Sequence, residues 1–388
     1  MNDSRFIWPK YSLKEKSLVN KVISSNKVNY LFGHEGKEFE KKFSEFSNSK
    51  FSLAVANGTL ALDLCLRAIS IKKNDEVLVT SRSFIASASC ISLLGAKPIF
   101  CDVDINSQNI SIEEIKSKIT KKTRALICVH FAGFPCNMPE IMKFAKQKNI
   151  KVIEDCAQAH GAKINNKSVG SFGDLSAWSF CNDKIMTLLG EGGMVTTNSK
   201  KYFDFISSFN NHGKNLSKYF KPKDHKSFPF FHDSIGSNYR LTELQSAVGI
   251  YQLSKMNEWN KLRTRNASII IESVRNIKLV SYPLLPKGYH HAWYKLYLTI
   301  NNQMLKKLSK RQNILDDLRS NNVPAFFGGC GEIYREKAFA KLQPKNRLLN
   351  ASYLENNSIM LEVHPTITIK EIKRRAGVLK DILLKHQA

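Results

Sequence analysis

The most constraining feature of this sequence is an alternation of short β-branched runs with amphipathic stretches, which continues through about residue 200. Such alternation is typical of βαβ units, whose strands lie parallel in one sheet. The strand-like runs cover residues 76–80, 98–101, 125–130 and 152–154, and the amphipathic stretches cover residues 60–69, 85–94 and 138–147. These runs predict an α/β fold built around a mainly parallel sheet.

The rest of the chain predicts a second, smaller unit. A long helical pattern over residues 238–265 precedes strand-like segments at 291–299 and 358–363, a helix at 310–320 and a final helix at 369–384. A chain of 388 residues is also long enough for two hydrophobic cores. We therefore predict a large cofactor-binding domain over residues 1–250 and a small α+β domain over residues 251–388.

The charge balance narrows the classes of ligand. Lysine and arginine number 59 against 33 acidic residues, for a net charge of +26, which suits a polyanion such as nucleic acid or a diphosphate-bearing substrate. The alternative interpretation is that lysines simply cover solvated helix faces. No recognition helix, RNP-type aromatic motif or Cys/His finger accompanies the charge, so we expect no nucleic-acid partner.

The sequence also argues against membrane insertion and metal binding. It has no secretory signal pattern and no apolar run near the roughly 20 residues that span a bilayer, so we expect a cytoplasmic protein without a membrane partner. Its eight cysteines include no CxxC pair, and several lie within apolar runs. We expect neither a disulfide framework nor a metal site.

Lys184 is the first candidate for chemistry. It follows a strand-like run and precedes a glycine cluster at residues 190–193. Most lysines are solvated surface groups. A desolvated lysine in a loop that other backbone can approach closely can, however, form a Schiff base with a carbonyl compound.

Asp155 is the second candidate, because it falls at the end of an apolar run. Burying an unpaired carboxylate is costly, so its position implies a cationic partner such as a protonated pyridine nitrogen. The alternative is an ordinary helix N-cap aspartate.

Two further segments lie where predicted strands lead into helices, which is where ligands bind on such sheets. Gly58 and Thr59 open a predicted helix whose N–H groups could bind phosphate, although Asn57-Gly58 could also be only a turn. Phe84 follows another strand, where its ring could stack on a planar cofactor or simply pack at the start of a helix.

The order and spacing of these segments resemble the DegT/DnrJ/EryC1/StrS family, the sugar aminotransferases of fold-type I in the aspartate aminotransferase superfamily of pyridoxal phosphate (PLP) enzymes. The similarity extends from residues 32–43 to His364-Pro365 and is most specific between Ala56 and Gly193. It implies a three-layer αβα large domain with a mainly parallel mixed sheet, and a smaller α+β C-terminal domain.

The resemblance also implies a role for each candidate residue. Lys184 occupies the lysine of the family's S-F-x-x-x-K segment ahead of G-E-G-G and is the expected Schiff-base lysine, with Asp155 as partner of the pyridinium nitrogen. The other implied positions are Gln158 at the phenolic oxygen, Ala157 and Phe84 on the two ring faces, Gly58, Thr59 and Ser179 around the phosphate, and Asn238 reaching that phosphate from a second subunit.

Some positions depart from the family pattern. Cys181 stands where many members have His, Asn182 where many have Pro, and Ser81-Arg82-Ser83 replaces P-x-[FYM]-T. Residues 328–339, from Gly328 to Phe339, look like a subgroup feature that we expect to form a substrate-side loop. None of these departures removes a group that transamination requires.

The implied reaction is transfer of an amino group from glutamate, through pyridoxamine phosphate, to a nucleotide-linked 3- or 4-keto-6-deoxyhexose for amino-sugar and surface polysaccharide (lipopolysaccharide O-antigen) synthesis. Arg240 and Lys214 are candidates for binding the diphosphate of that substrate, and His212 is a further candidate for binding the substrate, in a homodimer with shared sites. Alternatives are a cyclitol or aminobenzoate-type acceptor, a sugar dehydratase, in which histidine replaces the lysine, and a nucleic-acid-binding or regulatory protein of the same fold.

Overall fold

The computed structural model describes residues 7–219 and 230–388, and the elements below belong to that part of the chain. The helices are α1 (Leu13–Ser24), α2 (Glu35–Ser47), α3 (Gly58–Ala68), α4 (Ala86–Leu93), α5 (Ile112–Lys118), α6 (Met138–Lys148), α7 (Lys200–Phe209), α8 (Leu216–Tyr219), α9 (Glu243–Val274), α10 (Arg311–Ser320), α11 (Leu349–Asn357) and α12 (Ile369–His386).

The strands form three sheets. They are β1 (Phe51–Val55), β2 (Glu76–Thr80), β3 (Lys97–Cys101), β4 (Thr123–Val129), β5 (Lys151–Asp155), β6 (Lys163–Ile164), β7 (Lys167–Ser168), β8 (Leu175–Ser179), β9 (Gly193–Thr197), β10 (Val280–Ser281), β11 (Tyr289–His290), β12 (Leu296–Ile300), β13 (Ala325–Phe326) and β14 (Ser358–Leu361).

The largest sheet has the strand order β1-β9-β8-β5-β4-β2-β3. Neighbours from β8 to β3 are parallel, whereas β9 is antiparallel to both β8 and β1. Alternate residues of β5 face different cores, since Val152 packs in one hydrophobic cluster and Ile153 in another. Helices therefore cover both faces, which confirms the three-layer α/β fold with a mainly parallel mixed sheet.

A second sheet, with the order β10-β12-β14-β13, is wholly antiparallel and packs against α10, α12 and the end of α9. The connecting helix α9 has 32 residues, a length of about 48 Å, and it also contacts α1 and α2. The predicted domain boundary after residue 250 falls inside this helix, so the division at that residue stays a prediction.

The strand-like run at residues 291–299 is interrupted in the structure. Only its second part forms β12. Residues 291–295 instead cross to the turn that follows β4, where the N–H groups of Ala292 and Tyr294 donate to the carbonyls of Gly133 and Ala132, both at 2.9 Å. This crossing brings Tyr294 to the ends of the parallel strands.

Candidate active site

Asp155 is the last residue of β5, in the middle of the large sheet, and its carboxylate is buried. Oδ2 accepts a hydrogen bond from the Ser87 hydroxyl at 2.8 Å, and Oδ1 accepts one from the Ala157 N–H at 3.1 Å. Burial raises the pKa of Asp155 above its ordinary value, although these two hydrogen bonds and the charge of Lys184 act in the opposite direction. The carboxylate is therefore fixed in position and lies close enough to Lys184 to be affected by its charge.

Lys184 lies in the loop that joins β8 to β9. Its Nζ is 4.9 Å from the centroid of the Tyr294 ring, and the Tyr294 hydroxyl donates to the neighbouring Asp183. Within residues 7–219 and 230–388, no carboxylate lies within 4.0 Å of Nζ. The structure thus brings the amine and the carboxylate of Asp155 together without pairing them.

Gly58 and Ser179 form a narrow cradle beside this pair. Gly58 opens α3, and a Cβ built on it would lie 2.6 Å from the Cβ of Ser179, so only glycine fits there. Asn57 is the N-cap, and its Oδ1 accepts the N–H of Leu60 at 2.9 Å. The N–H groups of Gly58 and of the exposed Thr59 have no acceptor within the helix, as a phosphate-binding helix start requires.

Three further predicted residues lie in the segments that directly follow β2 and β5. Ala157 is half-buried, and the Phe84 ring is 67% exposed beyond β2. The Oε1 atom of Gln158 accepts the Ala132 N–H at 2.7 Å, which leaves its amide nitrogen as the donor toward other groups. The roles that the resemblance implies for these residues stay predictions.

The predicted substrate residues lie on the other side of the cradle. Arg240 pairs with Val55 at the end of β1, and its Nη1 donates to Asn211 at 3.2 Å. The pKa of Lys214 is lowered, mainly by burial and secondly by the charge of Arg240. The pKa of the exposed His212 is also lowered, mainly by burial and secondly by the charges of Arg240 and Lys214. We call His212, Lys214 and Arg240 the basic cluster, because each lies within the electrostatic range of the others.

Asn238 is exposed beside the basic cluster. It pairs with Asn211 through an isolated β-bridge, and its Oδ1 accepts the Arg240 N–H at 3.4 Å. Its role toward a second subunit stays a prediction.

The segment from Gly328 to Phe339 lies against the residues that follow β2. The Gly329 N–H donates to the Tyr297 hydroxyl at 3.0 Å, and the Ile333 N–H donates to the Ser81 carbonyl at 2.9 Å. Beneath the segment, Arg82 is fully buried, with its guanidinium 4.8 Å from the Phe131 ring centroid. The segment therefore attaches the antiparallel sheet to the end of β2.

Sequence reasoning missed two residues that touch the candidate site. Ser87 binds Asp155, and its own hydroxyl lies 2.9 Å from that of Ser83, four residues earlier and just before α4. This spacing of two serines was the available signal. Tyr294 carried no local signal, because its contact with Lys184 arises from the crossing segment alone.

A second missed feature is the carboxylate of Glu154, which points to the opposite face of β5 from Asp155. It accepts the N–H groups of Gly170, Phe172 and Gly173 at 2.7–2.8 Å and lies 3.1 Å from His130 Nε2. Burial acts to raise the pKa of Glu154, but the bonds from His130, Gly173 and Gly170 outweigh it and lower that pKa. Glu154 thus fixes the loop before β8 against the strand that ends in Asp155.

His130, Glu154 and Cys156 place potential metal-binding atoms within 4.8 Å of one another. Both imidazole nitrogens are already in use, since Nδ1 accepts the Cys136 N–H at 2.9 Å and Nε2 contacts Glu154. The cluster is accounted for by these hydrogen bonds.

In the described ranges, no helix combines the length and the apolar character needed to cross a bilayer.

Comparison with known proteins agrees with this geometry. Residues 10–380 match the model of the DegT/DnrJ/EryC1/StrS aminotransferase family, so the chain belongs to that family. Members of the family depend on PLP.

Three relatives illustrate the similarity. The X-ray structure of the aminotransferase from Psychrobacter cryohalolentis superposes with a TM-score of 0.96 at 42% identity, covering 98% of this chain and 99% of that one. GDP-perosamine synthase of Escherichia coli O157:H7 is 36% identical over 82% of this chain and 83% of its own. The dTDP-3-amino-3,6-dideoxy-alpha-D-galactopyranose transaminase of Aneurinibacillus thermoaerophilus is 32% identical over 96% of each chain.

Proposed function

We propose that this member of the DegT/DnrJ/EryC1/StrS aminotransferase family binds PLP through Lys184 and transfers an amino group from glutamate to a nucleotide-linked keto-sugar in the cytoplasm. One observation carries the proposal: the buried carboxylate of Asp155 and the amine of Lys184 are close together but unpaired. An acid and an amine kept apart in this way suit a ligand that carries both a basic nitrogen and a carbonyl group.

The residues of the site fit PLP. Asp155 would hold the ring nitrogen and Lys184 the aldehyde carbon, while the free amide nitrogen of Gln158 would donate to the phenolic oxygen. Phe84 and Ala157 would cover the two ring faces.

The phosphate would fit the cradle at the start of α3. Gly58 leaves no room for a side chain there, and Thr59 and Ser179 add hydroxyl groups to the N–H donors of the helix end.

Bound PLP acts as an electron sink for the carbanion that forms when the donor amino acid loses its Cα proton. Asp155, ionised, would keep a proton on the ring nitrogen. Lys184 Nζ would take the proton from the Cα of the donor amino acid and hold it, so that the same amine would act first as a base and then as an acid. The Tyr294 ring, fixed by its bond to Asp183, would restrict where Nζ can lie.

Two observations support a nucleotide-sugar acceptor. Two of the three relatives described above are named for GDP- and dTDP-linked amino sugars. Within the basic cluster, Arg240 and Lys214 also offer adjacent cations beside the cradle, which suits a diphosphate. We infer a 3- or 4-keto-6-deoxyhexose as the sugar, made for amino-sugar and surface polysaccharide synthesis.

The decisive test uses the purified protein with added PLP. We expect a visible absorbance band that disappears on borohydride reduction, with the cofactor recovered by peptide mapping on Lys184 and no labelling of Lys184→Ala.

With glutamate, a panel of UDP-, dTDP- and GDP-linked keto-sugars should yield an amino sugar detectable by mass spectrometry. A colourless protein that binds DNA in a salt-sensitive way would overturn the proposal.

We further propose a homodimer in which Asn238 reaches the phosphate of the neighbouring subunit. Its exposure supports the idea, since its side-chain oxygen is bonded only to the nearby Arg240 N–H among described residues. Mixing inactive Lys184→Ala with weakened Asn238→Ala should restore activity, because each mixed dimer contains one site with both native residues. If the protein sediments as a monomer in analytical ultracentrifugation and is fully active under the same conditions, the active site is not shared between two subunits.

A further inference from the structure

The backbone of Lys184 is held by a residue far away in the sequence. The indole Nε1 of Trp8 donates to the carbonyl oxygen of Lys184 at 2.7 Å, across 176 residues of chain. The N–H of Lys184 donates locally to the Cys181 carbonyl at 3.1 Å. Both peptide groups of the lysine are therefore engaged, and the bond from Trp8 is the one that comes from outside its loop.

Trp8 is itself fixed by its neighbours. Its ring packs edge-on against Trp259, with centroids 5.0 Å apart, and stacks on His364 at 6.3 Å. The Arg263 guanidinium lies 5.0 Å from the Trp8 ring, one helical turn beyond Trp259 on α9. Because these three contacts fix the Trp8 ring, its indole N–H can hold the carbonyl oxygen of Lys184 in one position.

The far end of the same loop is attached independently. The Thr187 N–H donates to Gln252 Oε1 at 2.9 Å, and Gln252 Nε2 donates to Glu15 Oε1 at 2.7 Å. Glu15 is buried and closes the capping box of α1 with Ser12. The loop of Lys184 is thus held near its start by Trp8 and near its end through α9 and α1.

We propose that Trp8 is a positioning residue for Lys184, which fixes the lysine backbone so that Nζ stays over the Tyr294 ring. The inference rests on the proposed function of Lys184. Misplacing a reacting group by about 1 Å can reduce a rate by about 100-fold, whereas binding of substrates elsewhere in the site changes little. Loss of the Trp8 bond therefore affects the chemical step and the acid–base behaviour of the lysine more than substrate affinity.

The test is Trp8→Phe, which removes the N–H donor and keeps an aromatic ring. Tyr353→Phe is the matched control, because it removes a hydroxyl that donates to the carbonyl of Ile300 on β12 and also keeps its ring. In the holoenzyme we expect Trp8→Phe to lower kcat about three- to tenfold, with KM for both substrates within about twofold, from loss of one hydrogen bond. The pH midpoint of the cofactor absorbance should shift in Trp8→Phe and stay at the wild-type value in Tyr353→Phe.

A second measurement leaves the protein unaltered, in case Trp8→Phe does not fold. In ¹⁵N-tryptophan-labelled wild type, one indole N–H resonance should respond to borohydride reduction of PLP-loaded protein more strongly than that of Trp259, and specific labelling should assign it to Trp8. Equal responses of the two, or an unchanged kcat and pH midpoint in a folded Trp8→Phe, would overturn the inference. If wild-type Lys184 takes no label on reduction, the proposed function fails; a labelled wild type with an unaltered Trp8→Phe overturns only the positioning role.

Discussion

The strand end at Asp155 and the basic cluster lie on two sides of one candidate site, and they are fixed in different ways. Asp155 is buried and bonded through both oxygens, and Glu154 next to it accepts three backbone N–H groups. Arg240 and His212 are partly or fully exposed and have few partners. The protein's own hydrogen bonds therefore fix the buried side of the site, around Asp155, before any ligand binds. The basic side, formed by the basic cluster, would act through charge, and a charge interaction depends less on the exact position of the side chain.

The strongest test of the difference between the two sides is Asp155→Asn, which keeps the shape of the buried side chain and removes its charge. We expect kcat to fall by about 10²–10⁴, because the ring nitrogen would lose its anionic partner. Steady-state kinetics with circular dichroism as a folding control measures the effect. Wild-type kcat in a folded Asp155→Asn would show that the charge on the buried side is unnecessary.

Glu154→Gln tests the buried side through stability. An amide nitrogen cannot accept a backbone N–H, so at least one donor among Gly170, Phe172 and Gly173 loses its partner inside the protein. We expect the free energy of unfolding to fall by about 2–4 kcal/mol in urea titrations. Glu113→Gln, on exposed α5, is the matched control and should stay within about 0.5 kcal/mol of wild type. Equal values for the two variants would refute the structural role of Glu154.

Arg240→Ala tests the basic side. Loss of one charge-assisted contact should raise KM for the nucleotide sugar about tenfold, with a smaller change in kcat and in melting temperature. Arg275→Ala, at the end of α9, removes an arginine distant in sequence and should leave KM unchanged. A large fall in kcat without a change in KM would mean that Arg240 shapes the site rather than binding the substrate.

The smallest effect concerns the pKa of His212, which burial, Arg240 and Lys214 hold below its ordinary value. Arg240→Ala should raise this pKa by less than about one pH unit, as followed by NMR of the imidazole C2 proton with His212→Asn for assignment. His212 binds a proton more readily in the unfolded chain than in the folded protein. The free energy of unfolding of the wild type should therefore rise with pH between the lowered pKa of His212 and about 6.5, and this rise should be smaller in Arg240→Ala. An unchanged pKa would show that the two groups do not interact.

Local patterns in the sequence were sufficient for the parallel strands. Residues 76–80 form β2 as predicted, and the predicted helix 60–69 forms as α3, two residues earlier. The helical pattern at 238–265 is realised as Glu243–Val274, because Thr242 and Gln245 close a capping box that delays its start. Asp155 is the end of a strand and not an N-cap, and Gly58 opens a helix rather than a simple turn.

The contacts that complete the candidate site come from distant parts of the chain and have no local pattern. Tyr294 reaches Lys184 because residues 291–295 leave the predicted strand and bond to Ala132 and Gly133. Trp8 reaches it from the N-terminal segment. Tertiary packing decides both contacts, so periodicity in one sequence could not reveal them.

The antiparallel strand β9 has a consequence for how the protein acquires its activity. Lys184 lies between β8 and β9, and β9 must pair with β8 on one side and with β1, more than 100 residues earlier in the chain, on the other. Pairing over so long a separation is slow, because the chain must first lose much of its freedom. A nascent or damaged molecule in which β9 has not paired with β8 and β1 lacks the strand that follows the Lys184 loop. Native-like reactivity of this lysine would therefore report that the long-range pairing is complete.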